Sequence, residues 1–233
     1  MKTKASLHLH STEDFRDHSI IDYSARQLID QAVNFGFSFL ALTGHEKSIF
    51  NDNLRDYAFR QGVILIPGLE ANIKGKHILL LNCECINDDN FKSFEDLEKY
   101  KKQHPEIFVI APHPNHGFFV SLGLKSLKKI SHLFDGIEHS WHYTKFFNPN
   151  LKTKKLADEL SLPFIATSDL HDLNYLNTDY IEVDVNHLDV NSFFVALRNG
   201  NFTNITHPKK IMELFSYHLL QLWKFFKYHF QLK

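Results

Sequence analysis

The chain has 233 residues, enough for one domain with a full core, and its 26 basic and 27 acidic side chains leave a net charge of -1. That balance excludes a global field for collecting nucleic acid. Sixteen histidines are the compositional excess, and without matching positive charge they point to ligands.

Met1 to Lys4 runs directly into a strand with no apolar leader, so a cytoplasmic protein is expected. Ala5 to Thr12 reads as that strand. Alternation puts His8 and His10 on one face and Leu7 and Leu9 on the other, and two imidazoles sharing a face at a strand end can grip one metal ion. Ile21 to Phe35 has helical apolar spacing closed by Gly36, and Phe37 to Thr43 is a buried strand ending at Gly44-His45-Glu46. A helix over Ile49 to Gln61 leads to an apolar strand, Val63 to Pro67, that runs into Gly68-Leu69-Glu70.

His77 to Asn82 is a strand that begins with a histidine. Beyond it lie Cys83 and Cys85, read as reduced packing residues because alternate strand positions make a poor disulfide. A helix over Asn90 to Lys102 precedes Phe108 to His116, a strand emptying into a histidine-rich loop that Pro112 and Pro114 stiffen. Helix Leu122 to Phe134, the short strand at Asp135 to His139, helix Asn150 to Leu160 and strand Pro163 to Ser168 follow, the last ending at Asp169-Leu170-His171-Asp172. Asp189 to Arg198 is a further helix.

Alternating strands and helices predict parallel strands with crossover helices. The polar strand ends favour a closed α/β barrel over an open sheet, because only a barrel gathers all such ends at one mouth. The barrel is expected over residues 1–206, and residues 207–233 form a helical extension. There Met212, Phe215, Leu219, Leu222 and Phe226 keep three-four spacing, widened by Leu220, Trp223 and Phe230. Such an amphipathic helix would dock on the barrel, on a second copy in a homo-oligomer, or peripherally on a membrane; Lys224 and Lys227 rule out a spanning helix.

Six strand ends carry histidine or carboxylate: His8/His10, His45, Glu70, His113, Glu138/His139 and Asp169/His171. Imidazole and carboxylate without thiolate suit Zn, Mn or Fe, and a bridging carboxylate is the usual way to hold two ions close together. Such a cluster activates water near neutral pH and clamps phosphoryl oxygens, so phosphoester hydrolysis is the expected chemistry.

Taken in order, His8-Leu9-His10-Ser11, Leu42-Thr43-Gly44-His45, Gly68-Leu69-Glu70, His77-Ile78-Leu79, Pro112-His113-Pro114, Gly136-Ile137-Glu138 and Ser168-Asp169-Leu170-His171 resemble the successive motifs of the PHP (polymerase and histidinol phosphatase) family. The resemblance spans Lys4 to Asp172 and implies a distorted (β/α)7 barrel with two or three divalent ions. It implies His8, His10, Glu70 and Asp169 around the first ion, with Glu70 bridging to a second held by His77 and His113. His45 and His171 would bind the third with a residue of the loop after His10; His18 is favoured there over Asp17, which with Glu138 is expected to support the ligands from behind. One departure matters: the family commonly has an acidic residue where this chain has Gly44, so an acid that would tune His45 is missing, and Glu46, Asp172 or His142 would have to compensate.

The expected activity is metal-dependent hydrolysis of a small phosphorylated metabolite, with a metal-bridging hydroxide as nucleophile and Glu70 and Asp169 as essential carboxylates. His171 or His116 would move the proton to the leaving group, and Arg16 and Lys145 would hold the phosphate. An exonuclease, with nucleic acid as substrate, is the alternative within the family. A non-catalytic metal-binding or partner-docking module is the alternative outside it.

Overall fold

A computed structural model describes residues 1–83, 87–117 and 119–230. The chain order is β1 (Lys2–Leu9), α1 (Ala25–Asn34), β2 (Phe37–Leu42), α2 (Asp52–Arg60), β3 (Ile64–Ile73), β4 (Lys76–Leu81), α3 (Phe94–Gln103), β5 (Phe108–Ala111), α4 (Leu124–Lys129), β6 (Gly136–Ser140), α5 (Asn150–Leu160), β7 (Phe164–Thr167), β8 (Tyr180–Asp184), α6 (Val190–Arg198), β9 (Phe202–Ile205) and α7 (Ile211–Phe230). The strands form one sheet in the order β7-β6-β5-β4-β3-β2-β1-β8-β9, curled into a nearly closed barrel. Its seam is bridged by the Asn204 amide, whose Oδ1 accepts from Ala166 N–H (2.8 Å) while Nδ2 donates to the Phe164 carbonyl (2.7 Å).

The helices begin where the sequence supplies caps. Ser24 and Gln27 form a reciprocal capping box on α1, and Asn51, Ser93 and Asp189 cap α2, α3 and α6. Phe91 and Leu97 are buried, and α3 starts later than the expected Asn90 because a short 3-10 turn occupies Asp88–Asn90. Inside the barrel, alternate residues of the strands (Leu7, Phe39, Ile66, Leu79, Phe108, Ile165, Ile181) pack against Phe193 and Phe194 of α6. Phe39 stacks on Phe193 at 4.5 Å and Phe108 on Phe194 at 5.4 Å.

The strands are not all parallel. Only Lys74 and Gly75 separate β3 from β4, too few for a crossover, so the two pair antiparallel, and β4 pairs antiparallel with β5 as well. The hairpin puts Glu70 on β3 opposite Leu79 and brings His77 in from the start of β4, so Glu70 lies within a strand and not at its end. Strands β8 and β9 close the barrel antiparallel beside β1, and the sequence reading did not include them.

Strand β1 also departs from strict alternation. Ser6 pairs with Leu40 and Leu9 with Leu42, so β1 carries one extra residue in that interval. Such a bulge re-aims side chains. Leu7 consequently stays in the barrel interior, Leu9 packs against Leu28 and Ile29 of α1, and His8 and His10 are both fully buried.

Cys83 is buried beside the Tyr100 hydroxyl (3.6 Å), as expected of a packing residue, and Cys85 lies outside the described residues. No described helix is long and apolar enough to cross a membrane.

Candidate metal centre

Three backbone devices assemble the site. His10 N–H donates to the Leu170 carbonyl (3.2 Å) and Leu170 N–H to the His8 carbonyl (3.1 Å), which zips the Asp169–His171 segment onto the end of β1. Glu70 N–H donates to the Gly44 carbonyl and Glu46 N–H to the Glu70 carbonyl (both 3.1 Å), so His45 is laid beside Glu70. The third device is strain. His113 and Asp169, each just past a strand end, have positive φ (30° and 42°), a backbone state that costs non-glycine residues about 1–3 kcal/mol and recurs at functional sites.

Six imidazoles then converge on two carboxylates. Glu70 Oε2 lies 3.1 Å from His8 Nε2, 3.1 Å from His45 Nε2 and 3.4 Å from His10 Nε2; Oε1 lies 2.7 Å from His77 Nδ1 and 3.4 Å from His113 Nε2. Asp169 Oδ1 is 3.4 Å from the Nε2 atoms of both His8 and His10 and 3.6 Å from His171 Nδ1. The rings of His45 and His171 stack on the ring of His10, at 4.6 and 4.5 Å.

The other nitrogen of most rings is held from behind. Glu138 Oε2 accepts from His8 Nδ1 (2.9 Å), Asp14 Oδ2 from His10 Nδ1 (2.8 Å) and His45 Nδ1 (3.1 Å), and Ser121 Oγ from His113 Nδ1 (3.4 Å); His171 differs, with Nδ1 on the Asp169 carbonyl (2.9 Å) and Nε2 toward Asp17. A proton fixed on Nδ1 leaves the lone pair on Nε2, which is the form that binds metal. His10 Nε2 is buried without a hydrogen-bond partner and faces Glu70 and Asp169, as a metal-ligating nitrogen would.

This donor set fits hard or borderline divalent ions. His8, His10, His45, His113 and His171 offer Nε2, His77 offers Nδ1, and Glu70, Asp169 and Asp17 offer oxygen. Without metal, protons balance the charge. Burial opposes charging of His8, but Asp169, Glu70 and Glu138 lift its pKa well above the usual histidine range. Burial likewise opposes charging of His10, yet Asp14 and Asp169 push it up to about 10. Burial would raise Glu70, and the surrounding imidazoles hold it well below the usual carboxylate range instead.

The structure brings His8, His10, His45, Glu70, His77, His113, Asp169 and His171 together, with Glu138 behind His8 and the His113 N–H (3.2 Å). His18 is not among them. It is exposed, its Nδ1 bonds the Phe15 carbonyl (3.1 Å) and its ring meets Tyr228; Asp17 points inward instead, 2.7 Å from His171 Nε2 and 3.6 Å from His45 Nδ1. His45 and His171 both reach Asp17 and both stack on His10, while His45 also shares Glu70 with His77. His116 donates Nε2–H to the His142 carbonyl (3.0 Å) and does not line the cavity over the cluster. Arg16 reaches the cluster at His77 Nε2 (3.3 Å), whereas Lys145 is exposed beside Phe146 and Phe147 on the rim.

Asp14 was missed by sequence reading. It is buried, and besides the two rings it accepts from the backbone N–H groups of His45 (2.9 Å), Arg16 (2.7 Å) and Asp17 (3.1 Å). It thus sets a carboxylate on His45, the residue that follows Gly44. Glu46 faces Arg16, Asp172 caps a 3-10 turn and His142 faces His218, so none of these takes that role. A Cβ at Gly44 would lie 2.7 Å from Ile49 and 2.8 Å from the Lys47 carbonyl, which leaves no room for an acid there.

A cavity of about 400 Å³ stands over the cluster, lined by Asp17, His113, Asp169 and His171 below and by Trp141, Tyr217 and Gln221 above. Helix α7 therefore crosses the mouth of the barrel.

No protein-family model matches the chain, and no curated protein matches it either. Solved structures do. A two-domain protein from Bacteroides vulgatus containing a predicted PHP-like metal-dependent phosphoesterase superposes with a TM-score of 0.69 at 19% identity, over 89% of this chain and 65% of that one. This chain has a PHP-type fold. PsfC from Pseudomonas syringae matches the PHP-type barrel over 95% of this chain and 98% of its own (TM-score 0.66, 12% identity). The lesion-specific endonuclease PfuEndoQ from Pyrococcus furiosus matches over 88% of this chain and 58% of its own (TM-score 0.59, 14% identity). The chain thus spans just under two thirds of the Bacteroides protein's length.

Proposed function

We propose that this PHP-type barrel is a metal-dependent phosphoesterase, and that it hydrolyses a small phosphomonoester. The observation that carries the reading is the buried array itself: six imidazoles aimed at Glu70 and Asp169, most with the second ring nitrogen fixed by an acceptor. Two or three Zn, Mn or Fe ions bound there would supply Lewis acidity for the phosphoryl oxygens and an activated water.

The chain's own residues do the rest. Glu70 and Asp169 hold the donors in register, Asp14 and Glu138 fix the rings, and the Arg16 guanidinium at the mouth offers a bidentate grip on a phosphate. His171, half-buried on the cavity wall with Nε2 beside Asp17, would hold an ion there, and the leaving group would take its proton from water in the cavity above it. A small substrate is favoured because α7 covers the mouth: Tyr217, His218 and Gln221 bound a pocket where a polynucleotide would need an open groove. The fold likeness to PfuEndoQ is compatible with a nuclease, which the same assay tests.

The test is metal analysis of the purified chain followed by a panel of small phosphomonoesters and oligonucleotides. A transition metal should co-purify, and Glu70→Gln and Asp169→Asn should each abolish turnover of a small monoester. A metal-free chain, or turnover that survives both substitutions, would overturn the proposal.

A further inference from the structure

Helix α7 is amphipathic the wrong way round for a helix docked on a protein core. Its inward face is largely polar or aromatic-polar. Tyr217 packs on Trp141 (5.0 Å) and Tyr175 (5.5 Å), His218 meets His142, Gln221 closes the cavity, and Lys224 pairs with Asp22 (3.0 Å). Not one residue of the helix is buried. The opposite face carries the three-four stripe Met212, Phe215, Leu219, Leu222 and Phe226 with Trp223 beside it, all between 43% and 69% exposed. So large an apolar arc is not left in water without a partner.

We infer that this outer face lies on a lipid bilayer surface, with α7 in the plane of the headgroups. Two further observations select a bilayer over a second copy of the chain. First, two exposed phenylalanines stand on a loop tied to the start of the helix. Phe146 (90% exposed) and Phe147 (69%) stand on the loop whose Thr144 bridges to Lys209 just before α7. Aromatic tips beside an amphipathic helix suit a planar interface. Second, the charge is one-sided. Glu213 is the one acid in 211–230, and it is half-buried and turned to the Lys210 N–H, whereas Lys210, Lys227 and Lys145 are exposed around the margins. An anionic surface complements such a rim, and a second copy would set lysine against lysine.

The full chain should float with vesicles of phosphatidylcholine, more strongly when phosphatidylglycerol is included and less so at high salt, with a blue shift of Trp223 emission. The double substitution Leu222→Asp/Phe226→Asp removes two exposed side chains, so circular dichroism and melting should not change while vesicle affinity falls roughly tenfold or more. Failure of the wild-type chain to bind either vesicle would overturn the inference, as would equal binding by the double variant. A vesicle-independent dimer that the same substitutions convert to monomer would assign the face to a second copy and overturn it too. Vesicle binding is read without metal or substrate, so its outcome is independent of the proposed activity.

Discussion

Replacing Asp14 with asparagine tests whether the site depends on carboxylates behind the rings. The substitution is nearly isosteric, but an amide has one acceptor oxygen where Asp14 uses two. Oδ2 receives His10 Nδ1, His45 Nδ1 and the His45 N–H, and Oδ1 receives the Arg16 and Asp17 N–H groups. If the amide nitrogen takes the first position, it confronts the His45 N–H and presents donors to both rings, so Nδ1 must accept and the proton moves to Nε2, the atom facing Glu70. If it takes the second, it confronts two backbone N–H groups that are left unsatisfied, at about 1–3 kcal/mol each. Loss of one supporting group costs about 10–100-fold in metal affinity, or roughly 1.4–2.7 kcal/mol. Asp14 supports two rings, so the upper end of that range is expected. The assay is calorimetric titration of the demetallated chain with Zn or Mn, with circular dichroism confirming that the variant folds. A folded Asp14→Asn variant that binds metal with wild-type affinity and stoichiometry would refute the reasoning.

Lys209, buried at the foot of α7, pairs with buried Asp179 and also reaches Thr178 Oγ1 and the His207 carbonyl (both 3.1 Å). Lys209→Ala leaves the Asp179 carboxylate without its cation, so a loss of roughly 3–5 kcal/mol is expected in urea unfolding, with faster hydrogen exchange in α7. Metal uptake should release protons. His10 is lifted from 6.5 to about 10 and His8, His45 and His113 are also raised, so at neutral pH these rings must shed protons to bind metal, and affinity should rise with pH in titrations run in buffers of different ionisation enthalpy. The sign reverses for stability of the metal-free chain. Raised histidines contribute fully below 6.5 and lose that contribution as pH climbs through their raised values, about 10 for His10, while the lowered carboxylates Glu70 and Asp14 lose theirs as pH falls through the acid range. Thermal melts of metal-free protein should therefore weaken at both extremes, and added metal should restore the alkaline side.

Much of this centre was legible because its residues sit where strand periodicity ends. His8 lies in the last pleat of β1, His10, His113 and Asp169 follow buried strands, and helix-strand alternation was enough to gather them at one mouth. What sequence could not supply was the geometry of the exceptions. Local period gives no sign of the bulge in β1 that lets Leu7 and His8 both serve the interior, since its signature is the register against β2. The β3–β4 hairpin was hidden in the same way: the apolar run of β4 looks like any buried strand, and only the two-residue connection at Lys74-Gly75 signals that it returns antiparallel and delivers His77 to Glu70.

The choice between Asp17 and His18 shows the limit most directly. The two residues are adjacent, both have metal-binding chemistry, and the loop that carries them has no period to decide which faces in. Asp14 decides it. Its side chain accepts from the Arg16 and Asp17 N–H groups while gripping His10 and His45, and so it curls the loop toward the cluster with Asp17 on the inner side and His18 on the outer. Asp14 stands four residues after His10, as an ordinary acid in a polar stretch, and its role depends on where His45 arrives from a different strand. The same dependence explains Gly44. An acid at that position would strike the Lys47 carbonyl and Ile49, and with Asp14 already on His45 the site does not need one there.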